Sequence, residues 1–233
     1  MQSVKSVDPI IYHCISGSRE ARGIGVIIDV FRASSTIVAA LGAGAERVIP
    51  VGELDEAYEL RRRNPEFLLF GERGCLPPEG FDGGNSPAAV ARMDLRGKTV
   101  ILTTSSGTQG IVSAVHADEI VIGCFLNARA VADRIVKARP REVSLVAMGV
   151  AGVSPALEDE LCARYIRALC TGGQVDIEDV RAKIMKDPEA LKFLERSSPV
   201  YSLDDVEFCL RMNAYSIVPV FDGHSLMMKE SQE

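Results

Sequence analysis

Seven short apolar runs, rich in Val and Ile, constrain the fold of this 233-residue chain more than any other feature. They are Gly25 to Val30, Arg47 to Val51, Phe67 to Phe70, Thr99 to Thr103, Ile120 to Ile122, Val143 to Ala147, and Ser216 to Val220. Their nearly continuous apolar character, in place of strict alternation, indicates strands that are buried on both faces. The pattern predicts an α/β fold of three layers (αβα), in which helices cover both faces of a largely parallel or mixed sheet.

Helical patterns follow most of the predicted strands. They are Ser34 to Leu41, Glu53 to Arg63, Pro87 to Met93, Thr108 to His116, Ala128 to Ala138, Pro155 to Cys170, Ile177 to Met185, Pro188 to Arg196, and Leu203 to Met212. The composition becomes charged and helical after Gly172-Gly173, so we expect a boundary there. Residues 1–170 are predicted to form an α/β core that carries an anion and metal site. Residues 171–233 are predicted to form a helical C-terminal region with the last strand, packed on the core, and only a polar tail is expected after His224.

Charge and composition exclude several classes of protein. The net charge of −6 argues against a nucleic-acid surface, which requires a basic stripe. No apolar run approaches the roughly 20 residues that span a bilayer, and no signal peptide is evident. The six cysteines have neither C-x-x-C nor metal-ligand spacing and are expected to be reduced core residues. We therefore predict a cytoplasmic protein without a membrane or nucleic-acid partner. A homo-oligomer is expected only because homo-oligomers are frequent among proteins in general.

Polar side chains stand at the ends of several predicted strands. Ligands of open α/β sheets bind beyond the carboxyl ends of the strands, so these side chains are candidates for a site. The candidates are Asp29, Arg32, Ser34, Ser35, Thr36, Glu72, Arg73, Asn127, Glu158 and Asp159. A purely structural interpretation is also open for each, because acids at such positions cap turns, form surface ion pairs or complement helix dipoles.

The loop from Gly80 to Pro87 combines a carboxylate, a carboxamide and a hydroxyl with three glycines. Ser86 is a suitable N-cap and Pro87 suits the first position of a helix. The N–H groups of that helix are then expected beside Asp82 and Asn85, where they attract anions. An ordinary glycine-rich turn with a cap is the alternative.

A hydroxyl-rich turn follows the fourth predicted strand, at Ser105, Ser106, Gly107 and Thr108. Its N–H and hydroxyl groups are predicted to surround a phosphate or sulfonate oxygen. Several acids that converge with such a cradle indicate a metal, and carboxylate oxygens suit Mg²⁺.

Taken together in order, these motifs resemble the 2-phosphosulfolactate phosphatase family. The resemblance rests on Asp29-Val30-Phe31-Arg32-Ala33-Ser34-Ser35-Thr36, Gly71-Glu72-Arg73, Gly80-Phe81-Asp82 with Asn85-Ser86-Pro87, Gly107-Thr108, Phe125-Leu126-Asn127-Ala128 and Glu158-Asp159. It implies a mixed α/β fold and a Mg²⁺-dependent phosphatase that converts 2-phospho-3-sulfolactate and water into 3-sulfolactate and phosphate. Members of this family serve coenzyme M biosynthesis, and related bacterial proteins use sulfolactate otherwise. Two positions depart from the family pattern, Ser106 in place of Asn and Asn213 in place of an acid.

The resemblance and the residue chemistry together give a mechanistic hypothesis. The catalytic residues are predicted to be Asp29, Arg32, Glu72 and Asp82, and the Mg²⁺ ligands Asp29, Glu72, Glu158 and Asp159. Substrate is predicted to bind Ser34, Ser35, Thr36, Arg73, Asn85, Ser86, Ser105, Ser106, Gly107, Thr108 and Asn127. The nucleophile stays open between a water molecule and Asp29 itself.

Two other functions fit the same residues. The anion sites could serve a phosphatase for another small phosphorylated acid, since few side chains set such preferences. They could also hold a phosphate or sulfonate ligand without turnover, in a binding protein.

Overall fold

The computed structural model describes residues 7–195 and 200–228. Within them the strands are β1 Ile10–His13, β2 Ile24–Ile28, β3 Arg47–Pro50, β4 Leu68–Gly71, β5 Thr99–Thr103, β6 Glu119–Gly123, β7 Val143–Ala147, β8 Pro219–Phe221 and β9 Leu226–Met228. The helices are α1 Cys14–Glu20, α2 Ala33–Gly42, α3 Leu54–Arg63, α4 Pro87–Val90, α5 Gly107–Ser113, α6 Ala128–Ala138, α7 Leu157–Thr171, α8 Ile177–Ile184, α9 Pro188–Leu194 and α10 Leu203–Cys209.

All of these strands belong to one mixed sheet, in the order β1-β7-β2-β6-β8-β9-β3-β5-β4. The pairings β1–β7, β7–β2, β2–β6, β3–β5 and β5–β4 are parallel. The C-terminal hairpin β8–β9 lies between the two parallel groups and pairs antiparallel with β6 and with β3. The predicted three-layer α/β fold with a mixed sheet is confirmed.

The sequence of strand β2 is almost wholly apolar because helices cover both of its faces. All five of its residues are buried. Gly110 lets α5 approach Ile27, whose Cγ2 would lie 3.3 Å from a Cβ at that glycine. The alternate residue Val26 faces the other way, toward the side where Ile166 of α7 packs beside Gly123. Apolar side chains are therefore required at consecutive positions.

Three elements were absent from the sequence prediction: β1, α1 and β9. Strand β1 is a four-residue edge strand that is nowhere fully buried, and α1 is a seven-residue helix with a central Gly17. The expectation of only a polar tail after His224 is wrong, because Leu226 is fully buried and pairs with Val48 across the sheet.

The C-terminal region shares the core of the rest of the chain. Phe193, Val206 and Val220 belong to the same buried cluster as Ile27 and Val146, and β8 and β9 lie inside the sheet. The predicted boundary at residue 171 itself stays a prediction. The six cysteines are unpaired within the described residues, and five are buried, as expected for reduced core residues. None of the described helices has the length and apolarity that crossing a bilayer requires.

Candidate active site

A pocket with a volume of ≈ 180 Å³ lies where the segments that follow β2, β4, β5 and β7 meet. Residues of α9 and Tyr201 from the C-terminal region form another part of its wall. Eight of the residues predicted from the sequence line this pocket: Asp29, Arg32, Glu72, Asn85, Ser105, Ser106, Glu158 and Asp159.

Asp29 follows β2 directly and is 6% exposed. Its Oδ1 accepts a hydrogen bond from the Ala33 N–H at 3.1 Å, which fixes the carboxylate at the start of α2. Burial raises the pKa of Asp29 to about 6, and the nearby Glu72 charge adds to this rise, while the N–H groups of Ala33 and Gly107 offset part of it. Asp29 therefore titrates near neutral pH, where a proton acceptor is most useful.

Gly107 allows the loop after β5 to approach Asp29. A Cβ at this position would lie 2.9 Å from Asp29 Oδ2 and 2.5 Å from the Ala33 Cβ, both closer than real Cβ contacts. We expect Gly107→Ala to displace the Asp29 carboxylate and to lower kcat/KM by roughly 10- to 100-fold, since a misplacement of about 1 Å has effects of this size. Steady-state kinetics on the purified variant would measure this.

Gly173→Ala is the matched control, because its Cβ would meet nothing closer than 3.4 Å and it lies outside the pocket. This control should keep the unmodified kcat/KM. Equal activities of the two variants would contradict the assigned role of Gly107.

The Glu72 carboxylate joins two loops. Its Oε2 accepts hydrogen bonds from the Cys75 N–H at 2.9 Å and from the Ser105 hydroxyl at 3.2 Å, and its Oε1 accepts one from the Ser105 N–H at 2.7 Å. These bonds hold the carboxylate in one orientation at the pocket wall.

Glu158 and Asp159 begin α7 and are both almost fully buried. The Asp159 carboxylate accepts hydrogen bonds from the Val30 N–H at 2.7 Å and the Gly149 N–H at 2.8 Å, so it ties α7 to the ends of β2 and β7. Glu158 Oε2 has no hydrogen-bond partner among the described residues. Burial raises the pKa of Glu158 to about 8, and burial with the adjacent Glu158 charge raises the pKa of Asp159 well above its ordinary value.

Arg32 is the one lysine or arginine of the described part of the chain that lines this pocket. Its guanidinium is 6% exposed and lies over the Phe193 ring at 5.3 Å. The pocket thus combines five carboxylates with one guanidinium, and its charge favours a bound cation.

The residues fit a divalent cation such as Mg²⁺. Glu158 Oε2 and Asn85 Oδ1 are buried oxygen atoms that line the pocket without a hydrogen-bond partner in the described residues. Such atoms are costly unless a ligand or water satisfies them. Among residues 7–195 and 200–228 no three acidic, His or Cys side chains form a complete metal site. Mg²⁺ does not require one, because it usually binds one or two carboxylates and completes its shell with water and substrate oxygens.

Several predicted site residues lie outside the pocket. Asp82 accepts hydrogen bonds from Arg61 at 2.5 Å and from the Leu69 N–H at 2.8 Å. Its charge is therefore paired with Arg61 near the protein surface. Arg73 donates to the carbonyls of Glu72 and Gly52 and to Thr103 Oγ1, all within 2.8 Å. Neither side chain lines this pocket, whereas the sequence hypothesis places both at the site.

Five further residues predicted to bind substrate are buried outside the pocket lining, and four of them have hydrogen-bond partners in the protein, whereas Thr36 Oγ1 has none among the described residues. Ser34, Ser35, Thr36, Thr108 and Asn127 are at most 1% exposed. The Ser34 hydroxyl donates to the Ile27 carbonyl, the Ser35 hydroxyl donates to the Val30 carbonyl, and Asn127 holds the turn after β6 through Cys124 and Ile122. Ser86 caps α4 and donates to Asp205.

The turn from Ser105 to Thr108 does not form the open phosphate cradle that its sequence suggests. The Ser105 N–H donates to Glu72, the Gly107 N–H lies against Asp29, and the Thr108 N–H donates to Thr104 Oγ1. The Ser105 and Gly107 N–H groups of this turn therefore hold carboxylates at the pocket. Ser106 lines the pocket, but its hydroxyl donates to the Gly149 carbonyl at 2.9 Å.

Asn213, the second departure from the family pattern, lies away from the pocket. Its backbone is left-handed, with φ of 58°, and its side chain accepts from the Arg129 N–H and donates to the Tyr165 hydroxyl, both at 2.8 Å. Asn tolerates this backbone conformation well. The departure concerns the packing of α6 and α7.

Sequence reasoning missed the contribution of the C-terminal region to the pocket. Phe193 and Tyr201 stack edge to face with centroids 4.8 Å apart and form an aromatic wall, and Glu189 adds an acid. Asp205 forms a buried ion pair with Arg32. The adjacent acids Asp204 and Asp205 at the start of α10 are the only sequence signal for this contribution. Acids in the first turn of a helix usually complement the helix dipole, so the signal does not indicate a pocket.

Comparisons with known proteins identify the family of the chain. A family model described as 2-phosphosulpholactate phosphatase matches residues 11–224. The chain is 32% identical over 211 residues to a protein of Clostridium kluyveri, covering 85% of this chain and 87% of that one. It is 36% identical over 209 residues to one of Carboxydothermus hydrogenoformans, covering 85% of each chain. It is 35% identical over 217 residues to one of Thermotoga petrophila, covering 88% and 92%. All three are named "Probable 2-phosphosulfolactate phosphatase". The resemblance seen in the sequence is confirmed, and the chain belongs to the 2-phosphosulfolactate phosphatase family, a family of phosphoric monoester hydrolases.

Proposed function

We propose that this chain hydrolyses 2-phospho-3-sulfolactate to 3-sulfolactate and phosphate in the presence of Mg²⁺. One observation carries the proposal: a small pocket at strand ends, lined by five carboxylates and one arginine, in which two buried oxygens lack a hydrogen-bond partner among the described residues. Its volume of ≈ 180 Å³ suits a small acid better than a nucleotide or other large ligand. The names of the relatives supply the substrate.

The carboxylates of the pocket would hold the cation. Glu158 and Asp29 are first candidates, since Glu158 has a free buried oxygen and both carry raised pKa values that an adjacent cation would lower. Asp159 and Glu72 are oriented by backbone N–H groups and could support them. When bound, Mg²⁺ would polarise a phosphate oxygen and offset negative charge in the transition state.

Arg32 would bind an anionic group of the substrate. Its planar guanidinium can donate to two oxygens at once, which suits phosphate, carboxylate and sulfonate alike. The aromatic ring of Phe193 covers the guanidinium and limits its contact with water, so its charge is screened less than at the surface.

Asp29 would orient the attacking water and accept its proton. The Ala33 N–H fixes Oδ1, and a pKa of about 6 keeps the carboxylate ionised at neutral pH. Direct attack by Asp29 on phosphorus also fits this position. We favour the water route, since family resemblance and the crowded acid cluster both suit a metal-assisted hydrolase.

Phosphate release by the metal-stripped protein tests this function. We expect release from 2-phosphosulfolactate to require Mg²⁺ and to exceed release from phospholactate, 3-phosphoglycerate and an aryl phosphate by at least roughly tenfold, since contacts to the sulfonate should add binding energy. A chelator should abolish it.

A preference for another phosphorylated acid would assign a different substrate to the same chemistry. Release that is indifferent to Mg²⁺ and chelator would contradict the metal. No release from any substrate, with phosphate binding intact, would favour a binding protein. The cytoplasmic location and the homo-oligomer stay predictions.

A further inference from the structure

We propose that Asp205 of α10 is a positioning residue that holds Arg32 in the orientation that binds the anionic substrate. This inference rests on the proposed function of the same pocket. It assigns a role to the C-terminal helical region, whose sequence shows no functional motif.

The pair Arg32–Asp205 is buried on both sides. Asp205 is 0% exposed and Arg32 is 6% exposed. Asp205 Oδ2 accepts from Arg32 Nη1 at 2.9 Å, and the same nitrogen donates to the Val200 carbonyl at 2.9 Å. Both hydrogen bonds of this guanidinium within the described residues thus use Nη1. Its Nε and Nη2 donors are left for a ligand in the pocket that Arg32 lines.

The other oxygen of Asp205 anchors the loop that carries Asn85. Oδ1 accepts from the Ser86 hydroxyl at 2.7 Å and from the Ala88 N–H at 3.1 Å. Asn85, the residue before Ser86, lines the pocket with its buried Oδ1 unsatisfied by the described residues. One carboxylate therefore binds Arg32 and anchors the segment directly after Asn85, which belongs to a different loop.

A charge pair of this kind limits the motion of a long side chain. Without Asp205 the guanidinium would keep its charge but lose the partner that selects one rotamer. The entropy cost of ordering the side chain would then fall on substrate binding and lower the affinity. The loss should fall on the affinity for anions rather than on the chemical step. Asp204 is the adjacent acid and pairs with Arg92 on the exposed surface, so it offers a matched control.

The variant Asp205→Asn tests the role. Asn keeps the shape and can still accept from Ser86 and Ala88, but it removes the charge that faces Arg32. We expect the Kd for inorganic phosphate, measured by calorimetry with Mg²⁺, and the KM for substrate to rise at least tenfold, with kcat changed less than threefold. Asp204→Asn should match the unmodified protein in all three quantities.

A double-mutant cycle separates positioning from a general structural role. In an Arg32→Met background, Asp205→Asn should change the Kd for phosphate less than twofold, because the residue through which Asp205 acts is gone. An equal loss in both backgrounds would overturn the proposal, as would a Kd and KM within twofold of the unmodified protein. If Asp205→Asn does not fold, Asp205→Glu keeps the charge but moves it by one methylene group relative to Arg32. It should raise the Kd for phosphate at least threefold, and unchanged binding would overturn the proposal.

Failure of the proposed function would look different. An unmodified protein that binds phosphate but hydrolyses no substrate contradicts hydrolysis, and the phosphate titrations still decide the role of Asp205. An unmodified protein that neither binds phosphate nor releases it contradicts both.

Discussion

Asp29→Asn is expected to lower phosphate release by roughly 10³-fold or more at neutral pH, because it removes a proton acceptor and a cation ligand at once. The side chain lies at the end of β2, where the loops after β2 and β5 meet. Asn has the same shape but is neutral and a weak base. Steady-state release of phosphate with saturating Mg²⁺ measures the loss.

The same substitution should leave the fold intact. The amide oxygen of Asn can still accept from the Ala33 N–H, and a buried charge whose pKa is raised to about 6 is removed. The unfolding temperature of the metal-free variant should equal or exceed that of the unmodified protein. Release at nearly the unmodified rate would contradict the role of Asp29.

Asp82→Asn is the matched control, since the sequence predicts both acids as catalytic and the structure separates them. Asp82 pairs with Arg61, and both side chains are about one-third exposed. Such pairs contribute about 0–1 kcal/mol to folding, so we expect slight destabilisation and unchanged turnover. A large loss of turnover here would instead restore Asp82 to the site.

The sequence predicts the strands in which at least half of the residues are buried and misses the two that are mostly exposed or half-buried. Strand β7 is wholly buried, and its bounds match the predicted run Val143 to Ala147. Ile10–His13 and Leu226–Met228 lie at a sheet edge or expose most of their residues, so their short patterns resemble loops. The position of the C-terminal hairpin between β6 and β3 depends on long-range pairing that no local pattern encodes.

The site was predictable where strand ends carry acids, and less so where polar side chains serve the backbone. Asp29 and Glu158 meet in one pocket because their strands and helices converge there. The hydroxyls of Ser34 and Thr108 satisfy buried backbone groups, a use that composition does not distinguish from ligand binding. Asp205 is 173 residues from its partner Arg32 along the chain, so only the fold reveals the pair.

Glu158→Gln is expected to make the metal-free protein more stable and nearly inactive. Burial, with the charges of Asp187, Asp29 and Glu189, raises the pKa of Glu158 from 4.5 to about 8. The folded state therefore holds a proton that the unfolded state releases above pH 4.5. The stability linked to Glu158 is fully present below that pH and is lost as pH rises through about 8.

Gln carries no charge, so the gain from the substitution should grow with pH. We expect little difference in the free energy of unfolding at pH 4.5 and a gain of about 1–3 kcal/mol at pH 9. The upper limit of this gain is about 1.4 kcal/mol for each unit by which the pKa is raised. The real gain should be smaller, because water penetration and structural relaxation reduce the cost of the buried charge. Urea unfolding in a chelator at several pH values measures it. Glu160→Gln, on the same helix but outside the pocket, should show no such gain.

Mg²⁺ should reverse the order of stability, which distinguishes a cation site from mere burial of an acid. A ligand that binds only the folded state stabilises it by RT ln(1 + [L]/Kd), where [L] is the concentration of free ligand. Mg²⁺ should therefore raise the unfolding free energy of the unmodified protein and of Glu160→Gln, and much less that of Glu158→Gln. An equal effect of Mg²⁺ on all three proteins would exclude Glu158 as a ligand. A pH-dependent gain in stability without any effect of Mg²⁺ would show that Glu158 is a destabilising buried acid and that the pocket holds no cation.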